Sequence, residues 1–178
     1  MLRLSGRMDL YHAAALFHFT KSGVFQHVVH ALKYEGRHTV AKMLGTLAGK
    51  MMIESHCFKQ PDLIIPIPVH NKRRRIRGYN QSEVFGGTIS KSIGIPQRVD
   101  VLMKPKNIES QTKANRIERI QNVYNSFHLY QDKLKPGASV LLVDDIITTG
   151  ATLEAAYHKL KQIPDIQIQI LVMGMAHD

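Results

Sequence analysis

With 178 residues, 44% of them hydrophobic and 21% charged, the chain suffices for one domain folding on its own core and is too short for a multidomain machine. The single cysteine, Cys57, excludes an internal disulfide framework and a zinc site built from several thiolates, so a reducing, cytoplasmic setting is expected. Against 14 Asp and Glu stand 24 Lys and Arg, a net charge of +10, which favours polyanionic partners such as nucleic acid, nucleotides or phosphorylated sugars without choosing among them.

The N-terminal stretch has an apolar patch from Ala13 to Phe19 that His12 and His18 interrupt. It lacks a cleavage pattern, so no signal peptide is expected, and no run approaches the roughly 18 apolar residues of a membrane span. Apolar residues at helical spacing predict helices over Val24–Leu32 and His38–Ser55, broken at Glu35-Gly36. Asp62–Val69, DLIIPIPV, is a short isoleucine-rich run enclosed by prolines and reads as a buried strand. A helix follows over Asn80–Ile93, ended by Gly94 and Pro96; its internal Gly86-Gly87 pair implies either close packing or a weakened helix. Gln97–Met103 reads as a strand, Ala114–Tyr124 as a charged helix and Ser139–Asp144, SVLLVD, as the clearest buried strand. A helix from the following ITTGAT to about Ile163 and a last strand over Ile166–Ala176 complete the chain. Strands alternating with helices, two of them continuously apolar, predict an α/β fold with a mostly parallel sheet flanked by helices on both faces.

The chemistry concentrates in Val140–Ala156, VLLVDDIITTGATLEAA. A buried strand delivers Asp144 and Asp145 to its carboxyl end, where open α/β sheets bind ligands, and Ile147, Thr148, Thr149, Gly150, Ala151 and Thr152 then turn into a helix N-terminus. Free amides, the helix dipole and a glycine suit an anion there, with threonine hydroxyls as uncharged donors. Two carboxylates beside an anion site need another task, and ribose hydroxyls or Mg²⁺ supply one. The alternative is that Asp145 or a threonine caps the helix.

This run resembles the signature loop of the type I phosphoribosyltransferases, which implies that Asp144 and Asp145 hold the ribose of 5-phosphoribosyl-1-pyrophosphate (PRPP), with Mg²⁺ reached through the ligand, and that residues 147–152 cradle its 5-phosphate. LKYEGR at 32–37, PIPVHNKRRRIRGYNQSE at 66–83 and QTKANRIERIQNVYNSF at 111–127 are similar to segments of the ComF/GntX family in the same order, so the resemblance covers nearly the whole chain. Parts of it also resemble the synthase half of glutamine PRPP amidotransferases. Many ComF-like proteins begin with a four-cysteine zinc ribbon, whereas the single cysteine of this sequence, Cys57, lies inside the domain, and no N-terminal glutaminase half is seen, so glutamine-dependent transfer by this chain alone is not expected. The resemblance implies a single phosphoribosyltransferase-like domain over residues 1–178, with about 1–20 as a candidate hood over the acceptor; a homodimer is a further candidate assembly.

Lys72, Arg73, Arg74, Arg75 and Arg77 crowd the turn after the PIPV strand, where the family's pyrophosphate loop lies. Guanidinium groups there would neutralise the leaving pyrophosphate, with Arg77 beside Gly78 and Tyr79 the foremost candidate; the alternative is a solvated basic loop. Gln111, Lys113, Arg116 and Arg119 lie in a polar segment that either closes over bound ligand or is an ordinary charged helix face. Single-stranded DNA is a further candidate partner, on charge and on stacking by Tyr79. His27 and His30 have a metal-compatible spacing but no companion ligands, and Cys57 reads as a small apolar residue. Phosphoribosyl transfer to a nitrogen acceptor with release of pyrophosphate is the leading expectation. The competing one is a non-catalytic PRPP-binding factor in DNA uptake during natural transformation.

Overall fold

The structure, a computed structural model, describes residues 6–20, 38–55, 58–104 and 126–177. The expected helices at Val24–Leu32 and Ala114–Tyr124 lie outside them, as do Gln111, Lys113, Arg116, Arg119, His27, His30 and Cys57.

Among the described residues, four strands form a parallel sheet in the order β1-β6-β5-β2: β1 is His12–Thr20, β2 Leu63–Pro66, β5 Ser139–Ile147 and β6 Gln167–His177. Two-residue strands β3 (Leu102–Met103) and β4 (His128–Leu129) pair antiparallel apart from it. Helices α1 (His38–Glu54) and α3 (Gln81–Ile93) cover one face, and α4 (Ala151–Leu160) covers the other. The short α2 (Asn71–Arg77) joins β2 to α3.

The apolar run of β5 follows from this sandwich. Side chains alternate along a strand, so Val140 and Leu142 enter the core beneath α4 while Leu141 and Val143 enter the core beneath α1 and α3. All four are fully buried. The first core gathers Leu153, Ala156 and Leu160 of α4, and the second Ala41 and Ala48 of α1 with Phe85 and Ile89 of α3.

Four expectations need correction. Residues 12–20, inside the candidate hood segment, form the edge strand of the sheet, paired with β6 from His12↔Gln169 to Thr20↔His177. Ala13 and Ala15 pack on one core and Ala14 and Leu16 on the other, so the patch has the two-sided apolar pattern of a strand covered on both faces. The strand expected over Gln97–Met103 is broken: Ile64 N–H donates to Pro96 O and Arg98 N–H to Ile64 O, both at 2.9 Å, and the chain then leaves the sheet. It departs where Arg98 forks onto Asp100 at 2.8 and 3.0 Å and Lys133 donates to the same carboxylate at 2.6 Å. The basic turn after β2 is helical over Asn71–Arg77, because arginine, lysine and isoleucine are competent helix formers and Gly78 ends the run with its N–H on Arg74 O at 2.8 Å. The helix that follows Gly150 stops at Leu160 rather than near Ile163.

The helix at Gln81–Ile93 forms as expected, capped by Asn80 and ended at Gly94. Its internal glycine is explained by close packing: a Cβ on Gly86 would lie 2.4 Å from Gln97 Oε1 and 2.9 Å from Val143 Cγ2.

Candidate functional site

Strand β5 carries Asp144 and Asp145 near its carboxyl end, between the core residues Val143 and Ile147. Asp144 pairs in register with Val172 and is 8% exposed. Its Oδ1 accepts from Ser82 Oγ at 2.9 Å and from the Asp145 N–H at 2.8 Å. Burial pushes the Asp144 carboxyl well above the usual carboxylate range and the charge of Asp145 adds to the rise, while the Asp145 amide, the Ser82 hydroxyl and the Lys104 ammonium oppose it. Asp145 is half-buried and accepts from the Ile146 N–H at 2.6 Å.

After Ile147, which is buried, Thr148 and Thr149 are exposed and Gly150 adopts φ 80°, ψ −5° before α4 starts at Ala151. This left-handed backbone favours glycine and lets the chain bend from strand to helix. Asp144 and every residue from Ile146 to Leu153 line one solvent-open hollow at the N-terminus of α4. The capping alternative finds little here. The N-cap position is Gly150, without a side-chain cap, Asp145 is engaged with Ile146, and only a long 3.4 Å contact links Thr149 Oγ1 to the Ala151 N–H.

The basic segment reaches the same end of the sheet. Asn80 donates through Nδ2 to Ile67 O at 3.0 Å and accepts through Oδ1 from the Ser82 N–H at 3.2 Å, tying the chain beyond β2 to the start of α3. Arg77 is part-buried and donates to Gln81 Oε1 at 3.4 Å. Arg74 pairs with Glu83 at 3.4 Å, and Arg75 and Gly78 are exposed. Burial raises the Tyr79 phenol, the charge of Arg77 lowers it and that of Asp145 raises it, so the basic helix and the acidic pair act on one hydroxyl. Tyr79 is only 6% exposed and its ring lies 3.9 Å from that of His38, which removes it as a stacking platform for a base.

Sequence reasoning missed Ser82, Asn80, Lys104 and Arg7. Ser82 and Asn80 stand inside the GYNQS run but look like ordinary helix-start residues. Lys104 follows β3 and acts on Asp144 from a segment 40 positions away, and Arg7 meets the turn at Thr149 from the N-terminal side. Among the described residues, no three His, Cys, Asp or Glu side chains converge on a common point, and no helix is long and apolar enough to cross a membrane.

No family model matches the chain. It is 34% identical over 139 residues to Competence protein F of Haemophilus influenzae, covering 78% of this chain and 60% of that protein. DNA utilization protein YhgH of Salmonella typhimurium is 26% identical over 129 residues, covering 71% of this chain and 56% of its own. The chain therefore spans less than two thirds of the length of these curated relatives. Among solved structures, the glutamine PRPP amidotransferase of B. subtilis superposes with a TM-score of 0.52 at 18% identity, over 79% of this chain and 30% of that one. The fold is that of the type I phosphoribosyltransferases.

Proposed function

We propose that this chain, a homologue of Competence protein F and YhgH built on the type I phosphoribosyltransferase fold, binds PRPP and transfers its phosphoribosyl group to a nitrogen acceptor. One observation carries the reading: Asp144 and the unbroken run Ile146–Leu153 line a single hollow at a helix N-terminus, beyond the carboxyl end of a central parallel strand. A phosphate monoester fits that chemistry, with backbone amides and the hydroxyls of Thr148, Thr149 and Thr152 as donors. Asp144 and Asp145 accept from the ribose hydroxyls, and Arg77, from the neighbouring helix, meets the pyrophosphate.

In the reaction, the bond from the anomeric carbon to pyrophosphate oxygen breaks, pyrophosphate leaves with the electron pair, and the acceptor nitrogen forms the new bond and gives up its proton to solvent. Cationic charge on the leaving group and fixed acceptors on the sugar supply catalysis by positioning and electrostatics.

The donor set fits Mg²⁺ carried on PRPP rather than in a protein cage. It offers two carboxylates at one edge, Asp144 already accepts two hydrogen bonds, and no third acidic or imidazole group converges on them among the described residues. When bound, Mg²⁺ would neutralise the pyrophosphate. PRPP with Mg²⁺ is expected to raise the melting temperature by mass action, and Asp144→Asn with Asp145→Asn to abolish that shift while the fold persists. Absence of a shift at millimolar PRPP would refute the ligand. Pyrophosphate release across purines, pyrimidines and ammonia identifies the acceptor.

A second reading is favoured by the basic helix and by what the relatives are called: a PRPP-binding factor in DNA uptake that also binds single-stranded DNA, acting in the cytoplasm, alone or as a homodimer. In that case PRPP binds without pyrophosphate release for any acceptor.

A further inference from the structure

We propose that Arg7 is a positioning residue of the phosphate loop, holding the Thr149–Gly150 peptide so that the Gly150 N–H faces the hollow. The inference rests on the reading of that hollow as the 5-phosphate site and assigns a role to a residue outside the loop's own motif.

Arg7 Nη1 donates to the Thr149 carbonyl at 3.1 Å, and Nη2 pairs with Glu154 in the first turn of α4. The backbone around Arg7 is fixed just beyond it. Met8 is buried in the core beneath α4, and Asp9 is clasped by Tyr157: the Asp9 N–H donates to Tyr157 Oη at 3.0 Å, and the Tyr157 hydroxyl donates to Asp9 O at 3.2 Å. Two residues further, the Tyr11 N–H donates to Ile168 O at 3.0 Å, just before β1 begins its pairing with β6. The guanidinium is therefore delivered by the sheet edge and by α4 together, and Glu154 aims it.

The consequence follows from peptide geometry. No peptide bond here is cis, and in a planar trans peptide the C=O and the following N–H point in opposite directions. With the Thr149 carbonyl held by Arg7, the N–H of the same peptide, that of Gly150, points the opposite way, which is the side the proposal assigns to the hollow. The Gly150 carbonyl is engaged by the Glu154 N–H at 2.9 Å, which fixes the next peptide plane as well. Because Gly150 occupies a left-handed conformation that tolerates rotation of the preceding peptide, an outside tether has something to restrain. The same contact pairs the Glu154 carboxylate with a cation beside the helix terminus proposed to receive an anion.

The test is calorimetric titration of the full chain with ribose 5-phosphate, PRPP–Mg²⁺ and pyrophosphate–Mg²⁺, comparing wild type, Arg7→Ala, Glu154→Gln and the double variant. Arg7→Ala should weaken ribose 5-phosphate and PRPP by the same factor, about tenfold, and leave pyrophosphate affinity unchanged. The double variant should recover only part of the loss, since removing the Glu154 charge does not restore the tether. Wild-type affinity for ribose 5-phosphate in Arg7→Ala overturns the proposal. So does an equal loss for pyrophosphate, which marks general damage, and so does full recovery in the double variant, which leaves Arg7 as a counterion only. If wild type binds neither ribose 5-phosphate nor PRPP, the reading of the hollow fails first and this inference falls with it.

Discussion

Asp144 and Asp145 are adjacent in the chain yet occupy different environments. Asp144 is buried against Ser82, and burial together with the Asp145 charge raises its pKa. Between the ordinary aspartate value of about 3.9 and the raised native value, the folded protein binds more protons than the unfolded chain, so stability falls as pH rises through that window. Asp144→Asn keeps an acceptor for Ser82 and for the Asp145 amide and never ionises. Without ligand, the variant should match wild type near pH 4 and become more stable by about 1–3 kcal/mol at pH 8, at about 1.4 kcal/mol per pKa unit. Urea denaturation across pH checks this, and a difference independent of pH would contradict it. Arg77 and Thr149 allow a ligand-level discrimination. Arg77→Ala should weaken PRPP about tenfold or more while sparing ribose 5-phosphate, and Thr149→Val should weaken both, because the proposed contacts are with different phosphates. Equal weakening of both ligands by Arg77→Ala would remove it from the pyrophosphate role.

At the scale of elements, α3 shows packing overriding propensity. Alanine is the better helix former by about 1 kcal/mol, so both glycines at 86 and 87 look like defects in the sequence. The structure separates them: a Cβ at 86 meets Gln97 Oε1 at 2.4 Å and buried Val143 at 2.9 Å, whereas the nearest atom to a Cβ at 87 is Gln97 Nε2 at 3.6 Å. Gly86→Ala should therefore destabilise by about 1–3 kcal/mol through overpacking, while Gly87→Ala should be neutral or stabilising by up to about 1 kcal/mol. Thermal or urea unfolding of the two variants decides it, and equal effects would show that the contact at Gly86 is unimportant. The basic helix α2 gives a similar lesson. Its composition permits helix, but Arg77 is drawn inward by Gln81 while Arg75 remains exposed, a division that the run of five cations does not reveal.

For the whole molecule, the +10 charge is the property with the longest reach. If it serves single-stranded DNA, binding should weaken steeply with salt, by about 0.7 in log K per log unit of salt for each phosphate contacted. Arg74→Glu with Arg75→Glu should flatten that slope, and PRPP should compete with the DNA because both anions gather at one end of the sheet. Fluorescence anisotropy between about 50 and 200 mM salt measures it, and no binding at the low end would restrict the charge to small anionic ligands. Tyr79, turned into the protein against His38, takes no part in that interaction.

The acidic pair, the threonine-glycine turn and the alternation of strands and helices were legible in the sequence because each is local. A buried parallel strand is continuously apolar, and a strand-to-helix turn of the kind proposed to receive an anion needs a small set of residues in fixed order. The edge strand β1 was not legible, since its histidines disguise a segment that becomes a strand only by pairing with β6 more than 150 residues later. Nor was the early exit of the chain after Gln97, near which Lys133 of a distant segment reaches Asp100. The contacts of Ser82, Lys104 and Arg7 with the site were likewise decided by tertiary structure alone. Each acts on Asp144 or Thr149 from a distant part of the chain, and a hydrogen bond or a charge interaction is set by distance in space, which the spacing of residues along the sequence does not encode.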